Sequence, residues 1–171
     1  MSYFFKSKKD KQTKLEQLVD GLISVNYKVS NINRGGCGAF AEHLYDNLIK
    51  LGYKPKIAVL VHSLEKFEES IGLLDIGFNH YMLYRTEGTP HIVVKVGRKY
   101  IDSTGFNTLK ELREMYVAQE IYEGFDIETL RVLNSHREGW NTRFDRRKIP
   151  TIKKHIETVS KKVQKSLEVS K

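Results

Sequence analysis

The 171-residue chain has a single cysteine, Cys37, which excludes an internal disulfide, so nothing in it requires an oxidising compartment. It also has no apolar run near the ~20 residues that span a bilayer. Met1-Ser2-Tyr3-Phe4-Phe5-Lys6 lacks the apolar stretch and small-residue cleavage site of a signal peptide, so a cytoplasmic location is expected. No repeat, low-complexity tract or interdomain linker interrupts the sequence. One domain over 1–171 is therefore expected, with 1–9 poorly ordered, a core over 10–148 and a basic amphipathic helix over 149–171. Cys37, His62, His80 and His91 lack the close spacing of a structural zinc site, and neither metal nor cofactor is expected. Gly35-Gly36-Cys37-Gly38 is fed by no strand and followed by no Gly-Lys-Ser/Thr, which argues against a phosphate-binding loop.

Hydrophobic residues make up 40% and charged residues 29%, the balance of a globular domain with a core. The net charge of +8 sits at the ends. Residues 1–14 carry five lysines against Asp10, and residues 146–171 carry nine basic residues against Glu157 and Glu168, whereas the part between is net acidic. An acidic partner or nucleic acid is thus a candidate for the terminal helix; a solvated helical face explains the same charge.

Leu15, Leu18, Val19, Leu22 and Ile23 predict a helix near 10–25, and Asn26 to Asn33 predicts a loop. A second helix runs from Cys37 to Leu51, closed by Gly52. Residues 56–62 predict a buried strand, 63–74 a helix behind Ser63, and 79–85 another strand. His91 to Val96 and Lys99 to Asp102 predict a hairpin around Gly97-Arg98. A two-residue loop pairs Val96 with Lys99 and Val94 with Ile101. That register puts His91 and Asp102 on one face as diagonal neighbours, and a one-residue slip would part them. Downstream, a turn at 103–105, a helix beginning at Asn107 or Thr108 with Leu109, Leu112, Met115 and Tyr116 on one side, a strand within 118–125 and a helix capped by Asp126 are expected. Residues 136–147 read as irregular, and Pro150 opens the last helix, with Ile152, Ile156, Val159, Val163 and Leu167 on one face.

A thiol at a helix start sits beside unpaired amides and the positive end of the helix dipole, which favour the thiolate. The same spacing fits Cys37 as the top of a buried apolar stripe through Phe40, Ala41, Leu44, Leu48 and Leu51. With His91 and Asp102, the thiol supplies the parts of a Cys-His-Asp triad. His80, also at a strand start, is the alternative base.

Gly35-Gly36-Cys37-Gly38-Ala39-Phe40-Ala41 and residues 91–105, in the order nucleophile helix, strand, histidine strand, acid strand, resemble the papain-like superfamily, especially its transglutaminase-like and arylamine acetyltransferase-like branches. The resemblance covers about residues 30–106. It implies an α+β fold with the nucleophile helix packed on a small antiparallel sheet, and extra helices at both ends. It implies Cys37 as nucleophile, His91 as general base and acid, and Asp102 as orienting group. An oxyanion hole would use the Cys37 amide at Gly36, with Asn31 or Asn33 as the nearest side-chain amides. The chain lacks the family's upstream glutamine, and the tryptophan that precedes the nucleophile in many transglutaminases. The implied activity is acyl transfer or hydrolysis at an amide or thioester, a peptidase or amidase first, acting on a peptide or amide substrate. The competing expectation is a non-catalytic binding protein on the same fold, docking through its basic terminal helix.

Overall fold

A five-stranded antiparallel sheet, in the order β4-β3-β2-β1-β5, divides the fold into two cores. The structure, a computed structural model, describes residues 13–74, 91–118, 120–135 and 144–168. The strands are β1 (Lys56–Val61), β2 (His91–Val96), β3 (Lys99–Asp102), β4 (Gly105–Asn107) and β5 (Glu120–Phe125). The helices are α1 (Lys14–Ile23), α2 (Cys37–Lys50), α3 (Leu64–Leu74), α4 (Leu109–Tyr116), α5 (Ile127–Ser135) and α6 (Ile149–Glu168). The architecture is α+β, and no helix among the described residues is long and apolar enough to cross a membrane.

The larger core lies between one sheet face and α1, α2, α5 and α6. Phe40, Leu44 and Leu48 of α2 meet Ile57, Val59, Ile92 and Val94 there, all essentially inaccessible. Each such side chain contributes roughly 1.5–3 kcal/mol by leaving water. The helix stops in a Schellman motif: Tyr53 N–H bonds the Leu48 carbonyl at 3.0 Å, Gly52 N–H bonds that of Ile49 at 2.9 Å, and Gly52 takes φ +84°. On the opposite sheet face, α4 seats Leu112 against Ala58, Leu60, Val93 and Tyr100. A capping box fixes the start of α4, with Thr108 Oγ1 accepting from Glu111 N–H and the Glu111 carboxylate accepting from Thr108 N–H.

The hairpin register agrees with the sequence expectation: Val96 pairs with Lys99, Lys95 with Tyr100 and Val94 with Ile101. Gly97 has φ +60° and Arg98 does not share the positive sign, as in a type II′ reversal. Three details differ from expectation. Residues 105–107 form a further strand, since Asp102 pairs with Gly105 and the chain reverses again across Ser103-Thr104. The next helix accordingly starts at Leu109, with Thr108 as its cap. Met115 is 49% exposed and leaves the core to Leu109, Leu112 and Tyr116. The strand expected over 79–85, residues 1–9, and most of the irregular stretch from 136 lie outside the described residues.

Candidate active site

An irregular turn leads into α2. Asn31 is left-handed at φ 59°, and Gly35 has φ 116°, a conformation that favours glycine over residues with a Cβ. Gly36 is required for a different reason: a Cβ there would lie 2.6 Å from the Phe144 ring. Cys37 is consequently the first residue of α2, behind an N-cap that supplies no side-chain acceptor. The sulfur is buried, and the backbone amides of Ile92 and Gly38 favour its ionised form.

His91 opens β2, opposite Leu60 of β1, and its imidazole lies on the α4 side of the sheet. Its Nε2 lies 2.9 Å from Oδ2 of Asp102, with both side chains almost completely buried. The other nitrogen, Nδ1, has no partner at hydrogen-bond geometry. The Cys37 thiol is its neighbour, close enough that each group shifts the other's ionisation. A thiol–imidazole contact that is loose without substrate and tightens with it is ordinary for such pairs. The contact is electrostatic, short of a formed hydrogen bond.

Asp102 is held from both sides. Its Oδ1 accepts from Thr104 N–H at 2.7 Å, Thr104 Oγ1 at 2.5 Å and Asn107 Nδ2 at 3.1 Å. Its Oδ2 accepts from His91 and from the Tyr116 hydroxyl at 3.0 Å. Burial opposes ionisation of the carboxyl, but His91 and the Thr104 donors outweigh it and hold the pKa below the usual carboxylate range. For His91, burial works against the imidazolium, and Asp102 and Cys37 overcome it, lifting the pKa to about 9. Burial likewise pushes the Cys37 thiol up, and His91 with the two amides brings it below its ordinary value. Imidazolium and thiolate thus stabilise each other as a coupled pair.

Of the three residues of the expected triad, His91 and Asp102 meet directly, and Cys37 lies near enough to His91 to shift its ionisation. Among the others, Gly36 is the N-cap beneath Phe144, and Asn31 is exposed at the start of the turn. Asn33 is half-buried, and its Oδ1 lies 3.0 Å from the Ser103 hydroxyl, which also reaches Asn26 Oδ1 at 2.9 Å. Asn26 Nδ2 in turn donates to the Ser103 carbonyl at 2.6 Å. Asn33 therefore helps to tie the turn before Cys37 to the β3–β4 reversal. The alternative base, His80, lies outside the described residues. His62 is exposed beyond β1, and no three His, Cys, Asp or Glu side chains among the described residues converge as metal ligands.

Sequence reasoning missed Tyr116 and Asn107 as partners of Asp102. The Tyr116 ring stacks on the His91 imidazole with centroids 3.6 Å apart and planes 15° from parallel. One signal was available: the Thr108–Glu111 capping box sets the helix start, and Tyr116 then falls one turn beyond Leu112 on its sheet-facing side. Comparison with protein-family models, with curated proteins and with solved structures finds no match to this chain.

Proposed function

We propose that the protein is a cysteine-dependent hydrolase or acyltransferase, a peptidase or amidase first, built on a papain-like core of the transglutaminase-like kind. The observation that carries this reading is the buried His91–Asp102 pair, whose free imidazole nitrogen faces a thiol at the start of a helix. The thiolate attacks the acyl carbon, a C–S bond forms, and the amides of the first turn of α2 receive the developing oxyanion. The intermediate collapses with cleavage of the C–N bond, and the His91 imidazolium gives its proton to the departing amine. Neutral His91 then takes a proton from water, or from an acceptor amine, as that nucleophile attacks the thioester. The C–S bond breaks, and the thiolate–imidazolium pair is restored. Asp102 keeps the imidazole proton on Nε2 throughout.

The test is alkylation of the folded protein with iodoacetamide across pH, read by mass spectrometry at Cys37. The thiol should react with a pKa well below the free value of about 8.5, and His91→Ala should return it toward that value. Alkylation only after unfolding would make Cys37 a core side chain and end the proposal.

One observation favours the non-catalytic reading: Cys37 is 3% exposed, whereas Lys153, Lys154, Lys161 and Lys162 of α6 all face solvent. On that reading, binding to an anionic polymer falls steeply with salt and weakens when these lysines are replaced, while no low-pKa thiol is found.

A further inference from the structure

We propose that Tyr116 is a positioning residue that sets the protonation balance of the Cys37–His91 pair, its ring fixing the imidazole plane and its hydroxyl dividing the Asp102 carboxylate. The inference rests on the proposed nucleophile reading and deepens it. Two independent contacts made by one side chain support it. The phenol ring lies face to face with the imidazole at 3.6 Å, and its hydroxyl donates at 3.0 Å to Oδ2, the oxygen that also receives His91 Nε2. A half-buried tyrosine that served only as core would have no need of a hydroxyl at the acid of the pair.

The backbone on either side points the same way. The capping box pins α4 at Thr108, and the helix leaves Tyr116 through Val117 at φ 53°. A β-branched residue in the left-handed region is sterically disfavoured, and Val117, 75% exposed, gains little burial in return. Such strain persists where the surroundings over-determine it. Here the surroundings are the stack and the hydrogen bond that hold the preceding residue.

The two contacts act in opposite directions on His91. A phenol face over the imidazolium favours the charged ring through the aromatic quadrupole, and it keeps water away. The hydroxyl draws on the same carboxylate oxygen that stabilises the imidazolium, which weakens that support. The titratable groups facing His91 are Cys37 from α2, Asp102 from β3 and Tyr116 from α4, while β1 places the apolar Leu60 opposite it. Burial and the Asp102 charge push the Tyr116 phenol well above its ordinary range, so it stays a neutral donor.

Tyr116→Phe keeps the ring and removes the donor, and Tyr116→Leu removes both contacts while keeping the site apolar. In Tyr116→Phe the acid limb of Cys37 alkylation should move to lower pH by about half a unit, less than the one to three units of a full opposing charge. In Tyr116→Leu it should move to higher pH. The His91 ring titration, followed by NMR in a Cys37→Ala background, should rise in the first variant and fall in the second. A purely structural side chain would lower thermal stability in both variants and shift neither titration. Unchanged titrations in folded variants, or shifts of the same sign, overturn the proposal. Should Tyr116→Leu fail to fold, the sign of the Tyr116→Phe shift decides alone. If wild-type Cys37 shows no lowered pKa, the nucleophile reading fails, and the His91 titration in the Cys37→Ala background still judges Tyr116.

Discussion

Replacing Asp102 by Asn preserves volume and removes charge, so it isolates what the carboxylate contributes. Three donors reach Oδ1 and two reach Oδ2. An Asn side chain has one acceptor oxygen and one NH2 group, so one of these sets must face a donor. If the oxygen stays with Thr104 and Asn107, the NH2 group meets His91 and Tyr116. The phenol can turn its proton aside, and neutral His91 can present a bare Nε2, but only by carrying its proton on Nδ1, beside the thiol. A hydrogen bond to a charged group contributes about 1.5–3 kcal/mol, and removing one partner of a buried ion pair costs about 3–5 kcal/mol. The tautomer change recovers part of this, which leaves a loss of about 3 kcal/mol at pH 6. For a chain of this size that corresponds to a melting temperature about 6–12 °C lower. Thermal and urea unfolding followed by far-UV circular dichroism measure it. Because the folded-state pKa of Asp102 is lowered, its stabilisation is fully present above the unfolded value of about 3.9 and is lost as pH falls through the folded value. The gap between wild type and variant should therefore narrow in acid. A loss below about 1 kcal/mol at pH 6, or a gap that stays constant in acid, would refute an ionised, fully partnered Asp102.

Gly36→Ala drives a methyl to within 2.6 Å of the Phe144 ring, and overpacking should cost about 1–3 kcal/mol in urea unfolding, partly recovered by adding Phe144→Leu. Val117→Gly relieves the left-handed strain at an exposed site and should raise stability by about 0.5–1 kcal/mol in the same assay. Thr108→Ala removes the N-cap of α4 and should cost about 1 kcal/mol; thermal unfolding reads the loss.

The His91–Asp102 contact was legible in the sequence because hairpin geometry is local: two residues at Gly97-Arg98 fix which side chains face each other across β2 and β3. The place of Cys37 was legible because glycines before an amphipathic run mark a helix start. β4 was hidden, since three residues after a Ser-Thr turn offer no periodicity to read. The Asn26–Ser103–Asn33 tie was hidden because it joins segments 70 and 77 positions apart through an irregular turn. Tyr116 looked like one more apolar position on α4. Its hydroxyl acquires meaning only once α4 lies over the sheet end where Asp102 sits.

The sheet order also bears on how the site is assembled in time. β2, β3 and β4 form a meander closed by two-residue turns, so His91 and Asp102 are paired by contacts nearly adjacent along the chain. β1, in contrast, pairs with β2 and β5 across long stretches of chain, Val59 meeting Ile92 on one side and Tyr122 on the other. Loop-closure entropy makes the first kind of contact fast and the second slow. The His91–Asp102 pair thus belongs to a unit that can form early. α2 meets that unit across the sheet face, so a lowered thiol pKa at Cys37, rather than bare reactivity, would report that α2 has docked beside His91.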